Sequence, residues 1–354
     1  MTHEFKEIIE TYALVKQQKM NAVLATVVEI EGSSYRRPGV GMLLLEDGTT
    51  KGAVSGGCVE KEIFKQSQSV FKTGTSKIMT YDGKYRLGCE GVLYILIELL
   101  EMDSTATLRI LEHIKNREVF EISSVYTKTQ GEHHHIGSSV QFLNEEDIKL
   151  SKRSNMLPNS SLALKRFVSK MLPCFRLIII GAEHDAVTLC KLASVTGWLV
   201  EVICSPNNPK QLGDFPGVSH IHADAPENLL IENVDNQTAF VVMTHNFAKD
   251  LLYLRSLTDL RPAYIGLLGP ARRREKLLEA LIEFNPNVSN AFLDIIHGPA
   301  GLNLGAETPE EIAISIISEI LAVTREQLPI SLQEKSGAIH DTSERKSIRH
   351  PAEN

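Results

Sequence analysis

Paired cysteines are missing from this chain. The five that occur, Cys58, Cys89, Cys174, Cys190 and Cys204, are scattered, and no two stand at Cys-x-x-Cys spacing. That spacing gives neither a zinc knuckle nor a disulfide framework. Long apolar runs are missing too. Runs such as that around Ile178–Ile180 fall far short of a bilayer's width. Positive charge is in deficit: 37 Lys and Arg against 44 Asp and Glu leave a net charge of −7. This argues against a general nucleic-acid binder. The start, Met1-Thr2-His3-Glu4-Phe5-Lys6, lacks the basic-then-apolar order of a secretion signal. A cytoplasmic protein is expected, with neither membrane nor nucleic acid as partner.

What is present fits two soluble domains: 354 residues, 43% of them hydrophobic. Residues 4–19 have the period of an amphipathic helix, and strand-like runs follow over Ala22–Ile30 and Gly41–Glu46. The loop between them carries Ser33, Ser34, Arg36, Arg37 and Pro38. Next comes Val54-Ser55-Gly56-Gly57-Cys58-Val59-Glu60, after which neither Gly nor Pro recurs until Gly74. That pattern predicts a helix starting at Cys58. Free N–H groups of a helix start favour thiolate over thiol, and the two glycines let a ligand or another backbone approach. A glycine turn beside a small buried cysteine fits the same residues. A second thiol follows in Gly88-Cys89-Glu90-Gly91, ahead of an apolar run over Val92–Leu100. A helix near Leu108–Lys115, strands near Val119–Tyr126 and Ser138–Leu143, and a hairpin turn at Gln130-Gly131 complete this half. His133-His134-His135 falls in that hairpin, where at most two of the three rings share a face.

The map expected is a first domain over 1–145, a polar linker over 146–172, a second domain over 173–328 and a disordered tail over 329–354. In the second domain, buried-strand runs at Arg176–Ile180, Leu199–Cys204, Phe240–Met243, Ala263–Leu267 and Ala291–Ile296 alternate with helical stretches. This is the pattern of a doubly wound parallel sheet. Thr308-Pro309-Glu310-Glu311 is a strong helix start, with a helix to Thr324. The phosphate loop of such a fold would be Gly181-Ala182-Glu183-His184-Asp185-Ala186. Its second glycine, which lets a pyrophosphate reach the helix, is replaced by Glu183. The acidic residue that binds a ribose is also missing, since Val202-Ile203-Cys204-Ser205-Pro206 stands there. Ligands of these sheets bind at the carboxyl ends of the strands, where Gly181, His184, His245 and Gly269 gather, with Arg272, Arg273 and Arg274 just beyond.

With these stretches in order, the chain resembles the xanthine dehydrogenase accessory factor family, the XdhC/CoxI type. The resemblance rests on Glu31-Gly32-Ser33-Ser34-Tyr35-Arg36-Arg37-Pro38-Gly39, Gly52–Glu60, Leu87-Gly88-Cys89, Ile180–His184, Tyr264–Gly269 and Gly301–Ala313. It implies an N-terminal α/β domain of the XdhC/CoxI type, then a Rossmann-like domain. It also implies a maturation factor that binds the molybdenum cofactor (molybdopterin) and helps deliver its sulfurated form to xanthine dehydrogenase or a related molybdenum hydroxylase. A cysteine desulfurase is the implied second partner, and a homodimer suits the type. Binding residues would be Ser33, Ser34, Arg36, Arg37, Gly56, Gly57, Cys58, Glu60 and Cys89, with Gly181, His184, His245 and Gly269 in the second domain. Cys58 would ligate molybdenum or relay sulfur. Two other readings stay open at this point: an NAD(P)-dependent oxidoreductase, supported by the fold alone, and a ligand-free scaffold between desulfurase and client.

Overall fold

The computed structural model describes residues 1–32, 37–83, 91–153 and 163–335, with Cys58 through its backbone alone. The chain divides into two compact units between Pro173 and Cys174. In the first, α1 (Thr2–Gln17) precedes β1 (Ala22–Glu31), β2 (Gly41–Leu45), β3 (Thr50–Gly52), α2 (Cys58–Thr73), β4 (Lys77–Asp82) and β5 (Val92–Leu99). Then come α3 (Ser104–Lys115), β6 (Phe120–Tyr126), β7 (Gly131–Glu132), β8 (Gly137–Gln141), β9 (Ile148–Lys149) and β10 (Lys165–Met171). The strands form two antiparallel sheets, in the orders β3-β2-β1-β5-β4-β7 and β10-β6-β8-β9. The first seven residues of β1 are buried and mostly apolar because both faces there are covered. Val23, Ala25 and Val27 pack with Ile63 and Val70 of α2, whereas Val28 packs with Leu96, Tyr126 and Ile136 on the opposite side.

The 146–172 stretch, expected as a linker, supplies β9 and β10 to the smaller sheet. β10 is an edge strand paired with β6 alone, and Lys165, Arg166, Val168 and Lys170 point outward. Edge strands carry charge on their open side, so the segment has a linker's composition. Residues 154–162 of this stretch lie outside the described residues.

The second unit contains β11 (Arg176–Ile180), α4 (His184–Val195), β12 (Leu199–Cys204), β13 (His220–Ala223), β14 (Thr238–Val242) and α5 (Phe247–Ser256). β15 (Tyr264–Leu267), α6 (Ala271–Phe284), α7 (Asn290–Asp294), β16 (Ile296–His297) and α8 (Pro309–Thr324) follow. All strand pairs are parallel, in the order β13-β12-β11-β14-β15-β16. This is the doubly wound order, with its switch between β11 and β14. α4 and α8 cover one face, and α5, α6 and α7 cover the other. α8 starts as its sequence predicts, with a reciprocal capping box between Thr308 and Glu311. The expected strand over Ala291–Ile296 is instead mostly helix α7, followed by the two-residue β16. Ser289 decides this: its hydroxyl accepts the Phe292 N–H at 3.2 Å and caps a turn of helix. Residues 329–335 hold no helix or strand, and the rest of the expected tail lies outside the described residues.

Candidate functional site

The larger sheet of the first unit sends its motif-bearing segments out at one end. β1 leaves the sheet after Glu31 and the chain returns at Val40, whose carbonyl accepts the Val27 N–H at 3.0 Å. β3 ends at Gly52, opposite Met42 near the start of β2, and leads through Gly56 and Gly57 to Cys58 at the head of α2. β4 ends at Asp82, opposite Val92, and the Gly83 N–H meets the Gly91 carbonyl at 3.1 Å. Antiparallel pairing therefore brings four strand ends, at Glu31, Gly52, Asp82 and Val92, to the same end of the sheet. Ser33, Ser34, Arg36 and Cys89 themselves lie outside the described residues.

Glu60 organises the middle segment. It reaches back from the first turn of α2, and one carboxylate oxygen accepts the Val54 and Ser55 N–H groups at 3.2 and 2.6 Å. The other accepts the Ser55 hydroxyl at 2.7 Å and the Gly57 N–H at 2.8 Å. Burial pushes the Glu60 carboxyl up, but these hydrogen bonds outweigh it and hold the group below its ordinary value. Glu60 is thus occupied in shaping the turn that a ligand would approach, and it takes the Gly57 N–H for itself. Among the described residues, no atom lies within 4 Å of where a Cβ on Gly56 or Gly57 would stand.

A charged network lies at the same end, and sequence reasoning missed it. Lys128 donates to Glu29 at 2.8 Å and also to Glu31, and its ammonium sits 5.0 Å from the centre of the Tyr94 ring. Tyr94 donates to Glu31 at 3.2 Å; Tyr126 and Lys165 donate to Glu29 at 2.7 and 3.0 Å. Burial raises the Glu29 carboxyl, yet the bonds from Lys128, Tyr126 and Lys165 bring it down to about 2. Glu29-x-Glu31 ahead of Gly32 is visible in the sequence, but Lys128 lies 97 residues beyond Glu31.

At the switch point of the second unit, Gly181 has φ +129°, and a Cβ there would stand 2.4 Å from the Met243 carbonyl oxygen. Contact between neighbouring strand ends therefore demands this glycine, with or without a pyrophosphate. Glu183 is the exposed N-cap residue of α4, and His184 beside it is exposed. Asp185 lies 3.6 Å from the exposed His245, which adopts a left-handed backbone with φ 57°. The side chain of Arg273 crosses over Gly269, at 2.7 Å from where a Cβ would stand, and donates to the buried Asp250 at 2.6 Å. Asp250 also accepts from the Thr244 hydroxyl and N–H. These loops offer two carboxylates at the helix start, and Arg273, one of the three arginines noted in sequence, is spent on a buried acid. They do not fit a dinucleotide pyrophosphate.

Among the described residues, no group of three His, Cys, Asp or Glu side chains is placed to hold a metal ion. In the triple-histidine segment, the His133 ring bonds the Thr129 carbonyl at 2.9 Å. Cys174, Cys190 and Cys204 are buried and free of disulfides, and burial raises the Cys190 thiol to about 11. No helix among the described residues is long and apolar enough to cross a membrane.

Together these features define a two-domain α/β protein: a glycine-rich loop edge on an antiparallel sheet, followed by a Rossmann-order unit that has lost its phosphate signature. The description "XdhC and CoxI family" matches residues 15–82, and "XdhC Rossmann domain" matches residues 177–320. The chain belongs to the XdhC and CoxI family. It is 31% identical to a Bacillus subtilis protein named as a probable xanthine dehydrogenase subunit, over 90% of this chain and 97% of that protein. It is 24% identical to the molybdenum cofactor insertion chaperone PaoD of Escherichia coli, over 92% and 91% of the two chains. A crystal structure described as a xanthine dehydrogenase from Bacillus halodurans superposes with a TM-score of 0.72 at 26% identity, covering 92% of this chain and 97% of that one.

Proposed function

We propose that this chain is a maturation factor that binds the molybdenum cofactor and assists its insertion into xanthine dehydrogenase or a related molybdenum hydroxylase. The observation that carries the reading is the shared sheet end from which its three motif segments leave. Kinship with PaoD, a molybdenum cofactor insertion chaperone by name, supports it.

The donor set suits the group. A pyranopterin presents a phosphate, and hydroxyls of Ser33 and Ser34 with guanidiniums of Arg36 and Arg37 are the groups that bind phosphate. The open backbone at Gly56-Gly57 admits a flat ring, and Cys58 and Cys89 offer soft sulfur. When bound, the cofactor supplies the oxo-metal and dithiolene chemistry that a hydroxylase client uses. This chain's own part is to hold the phosphate end, exclude bulk water from the metal end and keep a thiol beside it. A cysteine desulfurase as sulfur donor and a homodimeric assembly complete the proposal. The second unit acts as scaffold, because its acidic switch point is unsuited to NAD(P).

The test is expression in a host that makes the cofactor, followed by the fluorescence of oxidised pterin released from the purified protein. Near-stoichiometric pterin in the wild type, falling at least tenfold in folded Cys58→Ala and Arg36→Ala proteins, is expected. Equal pterin in all three would remove the first unit's loops from the site.

A further inference from the structure

We infer that Lys128 is a positioning residue that sets the direction in which β1 leaves the sheet, and hence where the segment after Gly32 is presented. This deepens the cofactor-binding reading and rests on it.

β1 carries a register slip. It pairs with β5 in regular order as far as Val27–Ile95, and then Glu29, not Val28, stands opposite Tyr94. Before the slip, Val23, Ala25 and Val27 face α2. Continued alternation would carry Glu29 and Glu31 onto that face, into an apolar cluster. The bulge reverses the alternation, so that Ile30 packs into the cluster instead. Both carboxylates then turn to the face of Tyr94 and Tyr126. Bulges re-aim side chains and bend the strand that carries them, and they concentrate beside functional sites.

What holds the re-aimed strand is Lys128, two residues past the end of β6. Its one ammonium joins Glu29 and Glu31, the last two residues of β1 on that face, and lies over Tyr94 near the start of β5. Tyr126 and Lys165 fix the second oxygen of Glu29. Gly32 follows Glu31 directly, and Gly91 directly precedes Val92. Lys128 alone among these partners bonds both carboxylates, and through Tyr94 it also touches the strand that follows Gly91. Lys128 and Glu29 are half-buried and Glu31 is exposed, and ion pairs near the surface add little to global stability. Lys128→Met should therefore free the exits without unfolding the unit, which separates positioning from a merely structural part.

The experiment compares wild type, Lys128→Met and Lys128→Arg by hydrogen exchange over residues 27–45 and 80–95, pterin retained after expression, and thermal midpoint. In Lys128→Met we expect exchange roughly five- to tenfold faster in both segments and pterin reduced by a similar factor. The midpoint should stay within about 3 °C. Lys128→Arg, which keeps charge and reach, should restore both. Unchanged exchange in Lys128→Met, faster exchange with undiminished pterin, or a fall of the midpoint well beyond that range would each overturn the inference. A wild type without pterin would sink the cofactor-binding reading alone, and the exchange data would still decide what Lys128 does to the exits.

Discussion

Glu60 and Glu183 show how the same residue type takes opposite parts at two helix starts. Each stands at the head of a helix, where a carboxylate is favoured by the unpaired N–H groups. Glu60 turns back and collects three backbone N–H groups and a hydroxyl. Glu183 is exposed, and its side chain makes no capping bond to α4. Glu60→Gln keeps the shape but loses the charge and an acceptor, and should cost about 1–2 kcal/mol at neutral pH. The sign with pH follows from a carboxyl held below its ordinary value of 4.5. Its contribution is complete above that value and is lost as pH falls through the folded-state value. Urea unfolding as a function of pH checks this: the gap between wild type and Glu60→Gln should be present at pH 7 and narrow as the pH is taken progressively below 4.5. The resemblance marks Glu60 as a binding residue, and its hydrogen bonds give it a part in shaping the turn. A carboxylate's partners are set by the loop folded around it, and residue type alone does not name them.

At the scale of elements, legibility followed burial and local capping. β11, covered on both faces, and α8, with its Thr308–Glu311 box, could be read directly because the deciding contacts are local or uniform. β10 was hidden because an edge strand exposes its charges, and α7 because Ser289 caps a run that is otherwise as apolar as a strand. The bulge in β1 shows in the sequence only as the step from Val27-Val28 to Glu29-Ile30-Glu31, and Lys128 and Tyr126, which bind those carboxylates, lie about a hundred residues further on. Gly181 reads in the sequence as the first glycine of a phosphate loop and a candidate binding residue, and the structure gives it an architectural reason in the Met243 carbonyl. Gly181→Ala should therefore destabilise the second unit by about 2 kcal/mol or more, through both the positive φ and the contact. A normal denaturation midpoint for that variant would contradict the architectural reason.

For the whole molecule, the two units divide the work unevenly. The first brings the strand ends at Glu31, Gly52, Asp82 and Val92 together at one end of a sheet. The second keeps the doubly wound order but fills its switch point with Glu183, Asp185 and His245. A fold survives the loss of its usual ligand because its core, not its loop chemistry, holds it together. Kinship with a maturation family favours the cofactor carrier among the enzyme, scaffold and carrier that the Rossmann pattern alone left open. The most direct test of that reading is transfer. Pterin-loaded protein is mixed with a cofactor-free molybdenum hydroxylase, and both hydroxylase activity and the pterin left on the chain are followed. Activity should appear as pterin leaves the chain, and faster than with an equal amount of free cofactor. Pterin that stays on the chain, or activity that rises no faster than with free cofactor, would contradict it.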